Sequence, residues 1–101
     1  MLTVSALRVL AQEAPQNLMS WSHFVAQTEF VWQNPNLVSD AEGGQVLWFE
    51  MEIVNGLALA EWEEDGSPED WSYRWREGYE LDAQGLIAEL LKLVAGHDAI
   101  E

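Results

Sequence analysis

The clearest alternation of apolar and polar positions lies between Gln45 and Glu64, in the stretch QVLWFEMEIVNGLALAEWEE. Two apolar runs flank Asn55-Gly56, a dipeptide favoured in two-residue β-hairpin turns. A turn there pairs Val54 with Leu57, Ile53 with Ala58, Met51 with Ala60 and Phe49 with Trp62. Phe49, Met51, Ile53 and Trp62 then share a core face. The opposite face carries Glu52 beside Leu59, Glu50 beside Glu61, and Trp48 beside Glu63. Like charges opposite one another destabilise a sheet, so an acidic face of this kind calls for a reason.

On either side of this hairpin the pattern changes period. Thr3 is placed to cap a helix bearing Val4, Leu7, Leu10, Ala11 and Ala14 on one face, and Pro15 ends it. Asn17 is placed to cap a second helix running to about Gln27, with Leu18, Trp21 and Val25 together. Residues 29–33 are rich in aromatic and β-branched side chains and read as a strand. Asn34-Pro35-Asn36 marks a turn, and 37–44 continues as a loop. After the hairpin, 65–70 is a polar loop. Trp71, Tyr73 and Trp75 then alternate with Ser72, Arg74 and Arg76, which predicts a third strand with Trp75 over Ala58 and Ala60.

The last element is a helix over 82–95. Asp82 is its N-cap, Leu81 and Leu86 are spaced as a hydrophobic staple, and Lys92 suits the C-terminal dipole. Ala83, Leu86, Ile87, Leu90, Leu91 and Val94 form its apolar face, and Gly96 is its stop. The expected architecture is α+β: a three- to four-stranded antiparallel sheet with the C-terminal helix packed on one face and an N-terminal helical segment. With 101 residues, 49% of them hydrophobic, the chain has the makings of one domain and enough apolar material to fold without assistance.

Charge alters the functional picture more than the fold. Eighteen acidic residues against four basic ones give a formal net charge of −14. Such a domain repels nucleic acid and anionic membranes, which require a basic footprint. Its field draws in cationic partners, although acidity also serves simply to keep an apolar-rich domain in solution. Without cysteine there is neither a disulfide framework nor a thiolate metal site. The N-terminus does not read as a secretory signal, and the expected compartment is the cytoplasm.

The candidate binding residues are the acidic hairpin face, Glu50, Glu52, Glu61 and Glu63, continuing through Glu64 and Asp65, with Trp48 as an exposed aromatic anchor. Arg74 and Arg76 offset part of this charge. Residues 61–70 echo the start of a calcium loop, but Ser72 stands where the bidentate Glu belongs, so no metal site is expected. Six Trp side chains exceed the needs of a small core and bring an aromatic cage for a cation into consideration. His23 and His97 lack metal-ligand spacing, and Ser20 and Ser22 beside His23 do not make a triad. No enzyme or cofactor is indicated.

The expected role is a non-catalytic acidic protein that neutralises a basic protein, either a nuclease toxin or a nucleic-acid-binding protein. Immunity proteins and nucleic-acid mimics work in this way, phage anti-defence inhibitors such as anti-CRISPR proteins among them. The alternative is a small acidic secretion chaperone, acting as a dimer on an effector segment through apolar grooves and a sheet edge.

Overall fold

In the computed structural model, which describes residues 3–94, the chain is helical. Five α-helices follow one another: α1 (Val4–Glu13), α2 (Leu18–Gln27), α3 (Ala41–Glu64), α4 (Ser72–Gly78) and α5 (Glu80–Leu93). Single 3-10 turns at Ala14–Gln16 and Val31–Gln33 join the first three. Among the described residues there is no sheet, and the one β contact is an isolated antiparallel bridge between Val38 and Val94. The expected α+β architecture is therefore replaced by an all-helical one.

The stretch read as a hairpin is one continuous helix. At about 1.5 Å per residue, the 24 residues of α3 extend ~36 Å, most of the molecule's 44 Å long dimension. Both ends are encoded locally. The Asp40 side chain accepts the Gly43 N–H at 3.1 Å, and Glu42 lies in the first turn, where the helix dipole favours an acid. At the other end Gly66 takes φ +91. The Gly66 N–H donates to the Glu63 carbonyl and the Ser67 N–H to the Trp62 carbonyl, each at 3.0 Å, the bond pair of a Schellman stop.

Between these caps Asn55-Gly56 costs helix propensity, roughly 1 kcal/mol for Gly and less for Asn. Packing outweighs that cost. Gly44, Leu47, Trp48, Met51 and Ala58 are buried along one side of α3, the period of a packed helix. Asn55 itself accepts a hydrogen bond from Ser22 Oγ at 2.8 Å, tying α3 to α2. Phe49 and Ile53, expected in the core, are exposed, whereas Trp48 is buried.

The third expected strand is α4. Trp75 is its buried side chain, with buried Trp71 at the N-cap four residues before it and Tyr79 a further turn along. Tyr79 stacks on both indoles, at centroid distances of 6.0 and 5.9 Å. Tyr73, assigned to the same face by the alternation, is exposed. The strand expected over 29–33 is likewise absent, replaced by turns and the 3-10 segment.

The helices expected at the two ends are present. Thr3 accepts the Ala6 N–H, and Asn17 and Ser20 form a reciprocal capping box at the start of α2. In α5, Ala83, Leu86, Ile87 and Leu90 are buried, but the helix begins at Glu80. Asp82 therefore lies inside the first turn instead of capping it, and Leu81 is 80% exposed, so no staple forms. Gly96 and His97 lie outside the described residues.

Trp21, Trp75, Phe24, Leu7 and Met51 are the largest fully buried side chains, and the Trp21 ring lies 6.2 Å from that of Trp75. Buried indoles need a hydrogen-bond acceptor, and carbonyls supply three of them. Trp21 donates to Met51, Trp48 to Val25 and Trp75 to Pro15, at 3.2, 3.0 and 2.8 Å. Trp71 donates to the Asp65 carboxylate at 2.8 Å, and half-buried Trp62 to the Pro68 carbonyl at 2.9 Å. Most of the tryptophan surplus thus locks helices together, and Trp32 alone among the described indoles has a buried Nε1 without a partner.

Candidate interaction surface

With the hairpin gone, its two faces are redistributed around a cylinder. Val46, Phe49, Ile53, Leu57 and Ala60 recur at intervals of three, four, four and three residues and are all exposed. At about 100° per residue they form one stripe, ~21 Å long, on the outward side of α3. Ile53 and Leu57 are 60% and 59% exposed, values typical of surface lysines rather than of aliphatic side chains.

The glutamates expected to share one sheet face lie on both sides of this stripe. Glu50 and Glu61 flank it along one edge, and Glu52 and Glu63 along the other. Glu42 stands one turn before Val46, and Glu64 one turn after Ala60. An apolar centre inside a charged rim is the usual anatomy of an interaction surface. Of the residues singled out from sequence, Glu50, Glu52, Glu63 and Glu64 are exposed around the stripe, and Glu61 is partly covered.

Two candidates have other roles. Trp48 is 7% exposed, with its indole N–H bonded to the end of α2, so it is no surface anchor. Asp65 terminates α3 and accepts the Trp71 N–H, which joins the end of α3 to the start of α4. The exposed large apolar side chains of α3 are instead Val46, Phe49, Ile53 and Leu57, of which the hairpin register had assigned Phe49 and Ile53 to the interior.

Among the described residues little of the negative charge is answered by ion pairing. Among the described residues one ion pair forms, Arg74 with Glu61 at 3.3 Å, and both partners are about half exposed. Exposed pairs of this kind contribute only ~0.2–1 kcal/mol. The Glu61 carboxylate raises the Arg74 guanidinium pKa further above its ordinary value, chiefly through this hydrogen bond. Burial, and then Glu61, pushes the Tyr79 phenol up. The Ser72 side chain and backbone N–H hold Asp70 below the usual aspartate value.

Among the described residues no three His, Asp or Glu side chains converge as metal ligands. The segment that echoed a calcium loop is divided between the end of α3 and its Schellman turn. Ser22 is engaged with Asn55, and His23 is exposed on α2. Among the described residues no helix is long and apolar enough to cross a membrane. No protein-family model, curated protein or solved structure matches this chain.

Proposed function

We propose that this protein is a non-catalytic acidic binding protein that masks the cationic surface of a protein partner in the cytoplasm. That is the work of an immunity protein against a nuclease toxin, or of an inhibitor whose carboxylates stand in for nucleic-acid phosphates, anti-CRISPR proteins included. The observation that carries this reading is the exposed apolar stripe of α3 enclosed by Glu42, Glu50, Glu52, Glu61, Glu63 and Glu64. Acidity needed only for solubility would have no reason to surround the largest exposed apolar row on the longest helix. The apolar centre supplies affinity, and the carboxylate rim supplies encounter rate and selectivity for basic partners.

The secretion-chaperone alternative draws on the same stripe but loses the sheet edge on which an effector segment would have paired, because no sheet exists among the described residues. Sedimentation velocity separates the two readings: charge masking expects a monomer, and the chaperone a dimer.

The direct test is affinity capture from lysate followed by elution with a salt gradient. Basic nucleic-acid-binding proteins or nucleases are expected on the column, released as the Debye length shrinks from about 8 Å at physiological ionic strength to about 3 Å at 1 M. Replacing Glu50, Glu52 and Glu63 together by Gln should weaken capture while leaving the fold intact. Unchanged capture with the triple variant, or a dominant partner of acidic pI, would overturn the proposal.

A further inference from the structure

The α3 stripe does not stand alone, because α5 supplies a second wall. The two helices run side by side in opposite directions, so that Val46 lies across from Leu93 and Ile53 across from Leu81. One groove opens at each of these places, the second about 450 Å³ in volume, and both include Glu50 and Glu89. Together they form one trough in which Val46 and Leu93 stand at one end and Ile53 and Leu81 at the other, with Glu50 and Glu89 shared between them. Asp40, Glu42 and Asp82 outnumber the single lining cation, Lys92. Gly85 widens it, since a side chain there would meet nothing within 4 Å. Neither Glu50 nor Glu89 has an ion-pair partner among the described residues.

We infer that this α3–α5 trough is the docking site for a cationic amphipathic helix of the partner, an inference that rests on the charge-masking reading and specifies what the partner presents. Several observations favour that occupant over others. An extended segment would need a sheet edge to satisfy its backbone, and the described residues offer none, whereas a helix satisfies its own backbone groups. The mean stripe spacing of about 3.5 residues is the repeat at which two helices stay in register along a shared seam. A second copy of this chain would set Glu50, Glu52, Glu61 and Glu63 against their own counterparts, a like-charge contact that costs stability. The docked helix carries apolar residues about two turns apart, seated at Val46 and Ile53, with an Arg or Lys between them on Glu50 and Glu89.

The test uses two fluorescein-labelled peptides of identical composition, rich in Leu and Arg. One gathers its leucines on a single helical face, and the other is scrambled so that no apolar face forms. Binding to the full chain is read by fluorescence anisotropy. The amphipathic peptide should bind at least about tenfold more tightly than its scramble, the effect of burying one or two aliphatic side chains. The double variant Ile53→Gln with Leu81→Gln should erase that difference. Both positions are exposed, and circular dichroism with thermal melting verifies that the variant remains folded. Equal, salt-sensitive binding of both peptides would overturn the helix-docking inference while leaving charge masking intact. Absence of binding by either peptide would overturn both.

Discussion

The two long sides of α3 are made of similar residues and behave in opposite ways. On the inward side, Leu47, Trp48, Met51 and Ala58 are covered by neighbouring helices. Hydrogen bonds fix that side in place, with Trp21 donating to the Met51 carbonyl and Trp48 to that of Val25. On the outward side, Val46, Phe49, Ile53 and Leu57 are exposed, and the charged residues around them are acids apart from Lys92 beside Val46. The inward side holds the fold together, and the outward side keeps apolar surface in water with no benefit to the isolated chain. Stability is therefore carried by one face of the helix and, on the proposed reading, binding by the other, so substitutions should separate them.

The largest contrast pairs neighbouring positions. Met51→Ala, at a residue 1% exposed, should cost ~2–5 kcal/mol through lost burial and the cavity left behind. Ile53→Ala, two residues on, should change stability by no more than ~0.5 kcal/mol. Urea denaturation measures both, and equal costs would mean that the outward side is covered in the folded protein. Next comes Gly44→Ala on the inward side. A Cβ there would lie 2.7 Å from the Trp32 Cβ, forcing the 3-10 segment away from α3. The expected loss is ~1–3 kcal/mol, typical of overpacking.

Gly56→Ala reverses the sign. Nothing lies within 4 Å of the new methyl group, and the position is in mid-helix. Stability should rise by ~0.5–1 kcal/mol on removal of the glycine penalty, read as a higher urea midpoint. A hairpin turn at this position would give a loss instead, so the measurement discriminates helix from hairpin directly.

The smallest effect concerns acids that serve the fold rather than the rim of the stripe. Asp70 accepts hydrogen bonds from Ser72 Oγ and N–H at 2.7 and 3.1 Å, and its folded pKa is lowered as a result. A lowered carboxylate pKa contributes stability above the ordinary aspartate value, and that contribution is lost as pH falls through the folded value. Ser72→Ala removes the main cause, so the Asp70 midpoint should move upward in an NMR titration. An unmoved midpoint would show that the hydroxyl is not what holds it.

Parts of this architecture were legible residue by residue. Thr3 and Asn17 cap the helices they were expected to cap, and the apolar face of α5 is buried at Ala83, Leu86, Ile87 and Leu90. Signals for α3 were also present in Asp40, Glu42 and Gly66, but the Asn55-Gly56 pair between them carried an opposing message. With apolar residues on both sides of α3, the sequence offers no single stripe from which a helical period stands out, and short apolar runs then fit either period. The 71–79 segment misleads similarly, because Trp71 and Trp75 lie two steps apart on a strand face and one turn apart on a helix. The glutamates singled out from sequence, Glu50, Glu52, Glu61, Glu63 and Glu64, do lie around the stripe, whereas the exposure of its apolar centre was missed because Phe49 and Ile53 look like core residues in any strand register.

What the sequence by itself determined is the composition of the surface and the ends of the helices. Eighteen acids cannot all be buried, and caps act through bonds spanning three or four residues. What only the tertiary structure decided is which apolar residues of α3 go inside. That choice depends on α2 and α5 reaching Trp48 and Met51 from one side, and no residue near Asn55 encodes their arrival. Long-range packing made the expected turn a helix, and in doing so left Val46, Phe49, Ile53 and Leu57 facing water among carboxylates.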